Sequence, residues 1–233
     1  MDWLRKGLSE TRCNLFAVAR QARGAATRQK ILEAAVELFT DNGFGVTTLN
    51  DIADRAELTS GALYYHFESK EALAIGIIDE GWPKTWDLIV KHLDSAALGL
   101  ESVIRMTFAL TDLMQRDNLL WLAHHLGQTF GQANLEARDG CQKRMTMFID
   151  RVAEAVRPSD LGDGITPQAV GTYVWLVTYG SELLSRTLME NCSARLAANW
   201  MMLLRSISSA DSLRYFEQFL VRTAEQFGAV DAV

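Results

Sequence analysis

Proline is nearly missing from this chain of 233 residues: it occurs at Pro83, Pro158 and Pro167 only, and no Val/Ile/Thr-rich alternating runs are present. A sheet protein needs such runs, so their scarcity points to an all-α chain. Cysteine is as rare. Cys13, Cys141 and Cys192 are odd in number, widely spaced and in no CxxC pattern, which supports neither a disulfide framework nor a zinc site and leaves reduced structural thiols. No run of about 18 uncharged apolar residues could span a bilayer. The N-terminal stretch MDWLRKGLSETRCNLF lacks the continuous apolar segment of a secretory signal, so a cytoplasmic location with no membrane partner is expected. Ser-His-Asp spacing, a Gly-rich phosphate loop, a metal constellation and paired carboxylates in one segment are also lacking. The expectation is therefore a non-enzyme without cofactor or metal.

What the chain does have is 48% hydrophobic residues, ample for a buried core, and an uneven charge. The net charge of −6 argues against nucleic acid only until its distribution is seen. Residues 1–30 carry a local +5 through Arg5, Lys6, Arg12, Arg20, Arg23, Arg28 and Lys30, whereas residues 31–80 carry −8. Basic charge thus gathers just ahead of the first confident helix, where it could meet a phosphate backbone.

In chain order, residues 1–24 show no clean periodicity and read as a partly helical arm. The compact part starts near Val18, which makes residues 1–17 an extension it can do without. A helix is predicted from about Thr27 to Asn42, with Ile31, Ala35, Leu38 and Phe39 on one stripe, Asn42-Gly43 as its stop and Phe44 packing back. Thr47 or Thr48 caps the next helix, whose buried face is Leu49, Ile52, Ala53 and Ala56. Glu57-Leu58 turns the chain. Thr59 or Ser60 caps a third helix with Ala62, Leu63 and Phe67 inside and Tyr64, Tyr65 and His66 outside. Two short helices joined by such a turn form a helix-turn-helix, and Gly61 would allow close approach to a duplex. Beyond Ser69 a long helix runs to about Leu93, with a kink expected at Pro83. Apolar helical segments follow near 99–116, 118–131, 134–156, 167–190, 194–209 and 211–227, with a loop at 157–166. The domain reading is an arm at 1–24, a DNA-binding head at 25–72 and a ligand-binding and dimerisation body at 73–233, about nine to ten helices in all.

The stretch TSGALYYHFESKEAL at 59–73, preceded by TTLNDIADRAEL and by the TRxxIL helix at Thr27–Leu32, resembles the TetR family of one-component transcriptional repressors. The body is similar to the γ-butyrolactone receptor branch from actinomycetes through SVIRMTFALTDLM (102–114), the AVRPSDLGDGIT loop (155–166) and the LAANWMMLLRS helix (196–206). The resemblance implies a homodimer whose two heads enter successive major grooves of a palindromic operator and are released by a small-molecule inducer. That inducer would be of the butyrolactone, butenolide or furan carboxylic acid type, and the controlled process secondary metabolism, including antibiotic biosynthesis. The alternative is a pseudo-receptor of the same fold that answers an antibiotic or no diffusible signal. Thr48, Thr59, Tyr65, His66 and Lys70 carry donors suited to phosphates, while Ser60, Gly61, Ala62 and Tyr64 are placed to touch base edges. Of Arg20, Arg23 and Arg28, basic residues near the start of the first confident helix that could reach the minor groove or flanking phosphates, Arg28 is the best placed. The chain departs from the family pattern at Ser60, where many members have lysine, and at Glu57, where they usually have glycine.

For the body, the two faces of the 167–190 helix are read as Val170, Tyr173, Val174, Val177 and Leu184 against Gly171, Trp175, Thr178 and Glu182. By resemblance this helix and the one at 194–209, through Leu196, Trp200, Leu203 and Leu204, form an intersubunit four-helix bundle. Candidate ligand contacts are the polar groups set in apolar segments: Trp82, Trp86, Trp121, His125, Gln128, Thr129, Arg144, Trp175, Thr178 and Tyr179. His124-His125 diverge by about 100° as neighbours on a helix and are not expected to bind metal. Butyrolactone receptors generally have a tryptophan at the position matched by Arg144, and an arginine there would suit a carboxylate.

Overall fold

The computed structural model describes residues 2–94, 99–133 and 135–229, with side chains from Arg20 onward except 132–136. The described residues form ten α-helices, one 3-10 turn and a lone bridge between Leu161 and Ser208. No described helix is long and apolar enough to cross a membrane. The chain divides into two compact units, one ending at Ile78 and the other beginning at Asp79.

In the first unit α1 (Asp2–Asn42) reaches back through the residues read as an arm. Nothing in the sequence stops it: the first proline is Pro83, and 17–26 are mostly Ala, Gln and Arg, good helix formers. The side chains of Arg5, Lys6, Arg12 and Cys13 lie outside the described residues. Of the predicted stripe, Ile31, Ala35 and Phe39 are buried and Leu38 is half-buried, and the Phe44 ring folds back to 5.1 Å from that of Phe39. Two short helices follow, α2 (Leu49–Arg55) and α3 (Ser60–His66). The alternatives for their caps resolve on geometry. Thr48 caps α2 in a reciprocal box with Asp51, and Thr47 is buried, donating to the Gly43 carbonyl at 2.9 Å. Thr59 caps α3 by accepting from the Ala62 amide. Between them Glu57 holds a left-handed φ of 56°, the conformation for which glycine is the usual residue.

Helix α4 (Lys70–Leu93) starts from the Ser69 cap and continues through Pro83, whose missing N–H removes one rung of the ladder. In the second unit α5 (Leu100–Arg116) is buried nearly all round, from Leu100 through Phe108 to Met114, which makes it the central helix. Around it pack α6 (Asn118–Ala133), α7 (Leu135–Ala155), α8 (Pro167–Leu188), α9 (Cys192–Ile207) and α10 (Ala210–Gln226). Helices α7 and α8 approach so closely at Gly171 that a Cβ there would lie 2.5 Å from the Ile149 carbonyl oxygen. In the 157–166 loop, buried Asp160 accepts from the Leu100 amide and so closes the start of α5.

Two expectations for the body are corrected. Leu196, Trp200, Leu203 and Leu204 of α9 do not face outward for a partner: all four are buried in the chain's own core, and Trp200 Nε1 donates to Thr107 Oγ1 at 2.9 Å. The faces of α8 also divide differently. Val170 and Val174 are buried beside Gly171, Trp175 and Thr178, whereas the outward stripe is Tyr173, Leu176, Leu183, Leu184 and Leu188. Both stripes are apolar, so hydrophobicity alone does not tell them apart; the side facing α5, α7 and α9 does.

Candidate functional site

The exposed side of the first unit is built by α2 and α3. Gly61 opens into free space, and Tyr64 and Tyr65 stand out from α3 at 53% and 78% exposure. The Tyr65 ring meets His66 edge-on at 5.2 Å. Ser60, the first residue of α3, donates its hydroxyl proton to Asn50 Oδ1 at 3.1 Å, tying the leading edges of the two helices. Ala62 is half-buried beneath this surface. The Thr59 hydroxyl accepts in its cap and keeps its proton for an outside acceptor. Thr48 Oγ1 instead donates to Asp51 Oδ2 at 2.7 Å. That bond, with a second from the Thr48 amide, holds the Asp51 carboxyl below its ordinary pKa.

Lys70 and Arg28 do more within the unit than their sequence positions suggest. The Lys70 ammonium donates to the carbonyls of Phe44, Gly45 and Thr47 at 2.7, 3.2 and 3.0 Å and sits over the Phe44 ring. It therefore pins the α1–α2 loop. The Arg28 guanidinium lies over Phe67, 5.2 Å from the ring centre. An ion pair between Arg55 and Glu37 ties α2 to α1.

In the second unit, α6 and α8 flank a cavity of about 300 Å³ that is partly open to solvent. It is lined by Trp121, His124, His125 and Gln128 from α6 and by Trp175, Leu176, Tyr179, Gly180, Glu182 and Leu183 from α8. The α6 contributors recur at 121, 124, 125 and 128, a single helix face. The His124 ring is stacked on Tyr179, and Phe148 of α7 meets Trp175 edge-on at 5.1 Å. Burial, the neighbouring His125 and the Arg144 charge depress His124 to a pKa of about 3. Burial also lowers His125. Both imidazoles are thus neutral at pH 7. The Tyr179 hydroxyl, 8% exposed as a residue and raised in pKa by burial, has no hydrogen-bond partner. A hydroxyl in that condition is costly unless a ligand or a water satisfies it. At the rim Arg186 covers Trp121 at 4.4 Å, pairs with Glu182 at 2.6 Å and donates to the Met114 carbonyl. Glu182 also accepts from the Cys192 thiol at 3.4 Å; burial, then the Glu182 charge, push that thiol up to about 12.

Of the residues the sequence points to, Trp121, His125, Gln128, Trp175 and Tyr179 come together at this cavity. Trp82 and Trp86 do not line it and stack on each other along α4 at 5.7 Å. Thr129 is exposed and bonded to the His125 carbonyl, and Thr178 is fully buried and bonded to that of Val174. Arg144 stands behind the α6 wall, its guanidinium nitrogens 3.3–3.4 Å from where Cβ atoms would sit on Gly127 and Gly140. Its charge reaches the cavity through His124. His124, Leu176, Gly180, Glu182 and Leu183 complete the lining; for His124 the signal was its place three residues after Trp121 on one face. Among the described residues no group of three or more His, Cys, Asp or Glu is arranged to hold a metal.

Residues 31–77 match the pattern of the bacterial regulatory proteins, tetR family. The A-factor receptor protein of Streptomyces griseus is 46% identical over 63 residues, 27% of this chain and 23% of that protein. Among solved structures, the TetR family protein CprB of Streptomyces coelicolor, in complex with its operator sequence, is 30% identical, with a TM-score of 0.69, covering 88% of this chain and 99% of that one. A γ-butyrolactone receptor is 26% identical, with a TM-score of 0.67 and coverage of 88% and 99%. The leading curated relatives are matched over only 23–43% of their own length.

Proposed function

Because the chain belongs to the TetR family of bacterial regulatory proteins and is like its γ-butyrolactone receptors, we propose that it is a ligand-responsive transcriptional repressor acting as a homodimer on a palindromic operator. Gly61, Tyr64 and the Ser60–Asn50 pair present the surface that enters the major groove. Thr59, Tyr65, His66 and the basic residues ahead of the head supply phosphate contacts. The outward stripe of α8 joins the two copies, taking the place of the α9 residues that turn out to be core.

The observation that carries the ligand part is the unpartnered Tyr179 hydroxyl in an aromatic cavity of about 300 Å³. That size and lining suit a small, largely apolar signal with one or two polar groups. A butyrolactone, butenolide or furan carboxylic acid meets this description, and the same likeness supports a role in the control of secondary metabolism. Arg144, matched to a position where butyrolactone receptors generally carry tryptophan, stands behind the α6 wall and not in the lining, so only its charge, felt at His124, supports an acidic signal and with it the second reading of a pseudo-receptor answering an acidic antibiotic.

Without ligand the dimer holds its two α3 helices one DNA turn apart, about 34 Å. Ligand binding favours a different tilt of α4 and takes the heads off that spacing; it weakens DNA binding only as far as the ligand prefers the released form. Operator footprinting with and without candidate signals tests this. Protection of a palindrome that a signal abolishes is the expected result. A protein that protects no palindrome in genomic fragments is not this repressor.

A further inference from the structure

The cavity between α6 and α8 shares part of its wall with the outward stripe of α8. Leu176, Gly180 and Leu183 line the cavity, yet Leu176 and Leu183 remain 55% and 53% exposed and belong to the outward stripe of α8. A wall that is still half open to solvent is unfinished for a small-molecule site, which normally buries most of its ligand.

The stripe itself indicates what finishes it. Over the 22 residues of α8 the only charged side chains are Glu182 and Arg186, and these pair with each other on the inward side, Glu182 being 2% exposed. Tyr173, Leu176, Leu183, Leu184 and Leu188 therefore form an apolar strip with no charge to be answered by a different protein. Such a strip suits an isologous contact, in which the same patch meets itself across a two-fold axis. It also runs beyond the cavity in both directions, so a small molecule could not cover it. Gly180 sits in its middle, and a Cβ there would meet nothing within 4 Å. The subunit gains nothing from that glycine, which weakens a helix interior. A second helix or a ligand pressing close against the backbone does gain from it.

We infer that the cavity is a shared site, closed on its α8 side by a second copy of this chain, so that ligand binding and dimerisation strengthen each other. The inference rests on the ligand pocket and homodimer proposed above. By linkage, a ligand that binds only the closed cavity must raise the dimer affinity by the same factor that dimerisation raises its own.

The test uses Tyr173→Glu, which places a charge in the stripe without altering any cavity-lining residue, and two readouts: binding of the fluorescent probe 8-anilinonaphthalene-1-sulfonate, and acrylamide quenching of Trp121, obtained as the difference from Trp121→Phe. The wild-type chain is diluted through its dimer–monomer transition, followed by sedimentation velocity, so that one arm needs no stripe variant. On dissociation, probe affinity should fall at least tenfold and Trp121 quenching rise several-fold, and folded, monomeric Tyr173→Glu should match the diluted wild type. Unchanged probe binding and quenching in the monomer would show that one copy completes the cavity and would overturn the inference while leaving the repressor reading intact. A wild-type chain that is monomeric at all concentrations would remove the homodimer itself. Should the dimer bind no probe, Trp121 quenching alone decides.

Discussion

The imidazole of His124 lies flat on the phenol ring of Tyr179, centroids 3.6 Å apart and planes 8° from parallel. The stack closes the cavity floor with two polar rings that burial keeps uncharged: it lowers the histidine to about 3 and raises the tyrosine. Charging either ring therefore opposes folding, His124 toward acid and Tyr179 toward alkali.

Acidification should act through His124. Its folded pKa of about 3 lies below the ordinary 6.5, so the unfolded chain takes up the proton first, and stability is highest above pH 6.5 and falls as pH drops toward 3. Between pH 7 and pH 5 this one site costs about 2 kcal/mol. His124→Gln should start less stable at pH 7, having lost the stack, but lose about 2 kcal/mol less over that interval in urea titrations. Equal pH slopes for the two proteins would contradict the assignment.

Tyr179→Phe removes a buried hydroxyl that has no partner. Stability should stay level or rise by up to about 1 kcal/mol, while affinity for an operator-releasing signal falls roughly five- to tenfold. Thr107→Val is the control, because it strips the acceptor from Trp200 Nε1 and should cost about 1–3 kcal/mol. A marked loss of stability in Tyr179→Phe would mean that the hydroxyl is already satisfied within the fold.

Glu57 holds a φ of 56° in the helix-turn-helix turn. Replacing it with glycine should raise stability by about 1 kcal/mol, whereas alanine, with the same Cβ, should bring no such gain. Thermal unfolding of the two variants side by side decides it: equal stability would place no strain at this turn.

Lys70 separates two ways of supporting DNA binding. With its ammonium spent on three loop carbonyls, Lys70→Met should lower stability by about 1–2 kcal/mol and weaken operator binding without changing its salt dependence. A salt slope reduced by about one would identify a direct phosphate contact instead.

The head was the most legible part of the chain, because its signals are local. Capping threonines, the apolar spacing of Ile31, Ala35 and Phe39, and a turn residue in need of positive φ all act within a few residues of themselves. The start of α1 was less so: helical propensity without an apolar stripe gives no periodicity to read, and the helix nonetheless runs from Asp2. The body's boundaries were close to right, since α5 to α10 each begin and end within a few residues of the apolar segments.

Which face of each body helix looks inward was another matter. The sequence by itself determined an all-helical chain with a helix-turn-helix head, and placed Trp121, His125, Gln128, Trp175 and Tyr179 among the candidates for a site. Only the tertiary structure decided that Trp200 and Leu204 are core, that the outward stripe is Tyr173, Leu176 and Leu183, that Trp82 and Trp86 stay outside the cavity, and that His124 stacks on a ring 55 residues away in the sequence. The reason is physical. Periodicity reports that a face is apolar, but whether that face meets the chain's own core, a ligand or another subunit depends on what packs against it, and those contacts come from distant segments.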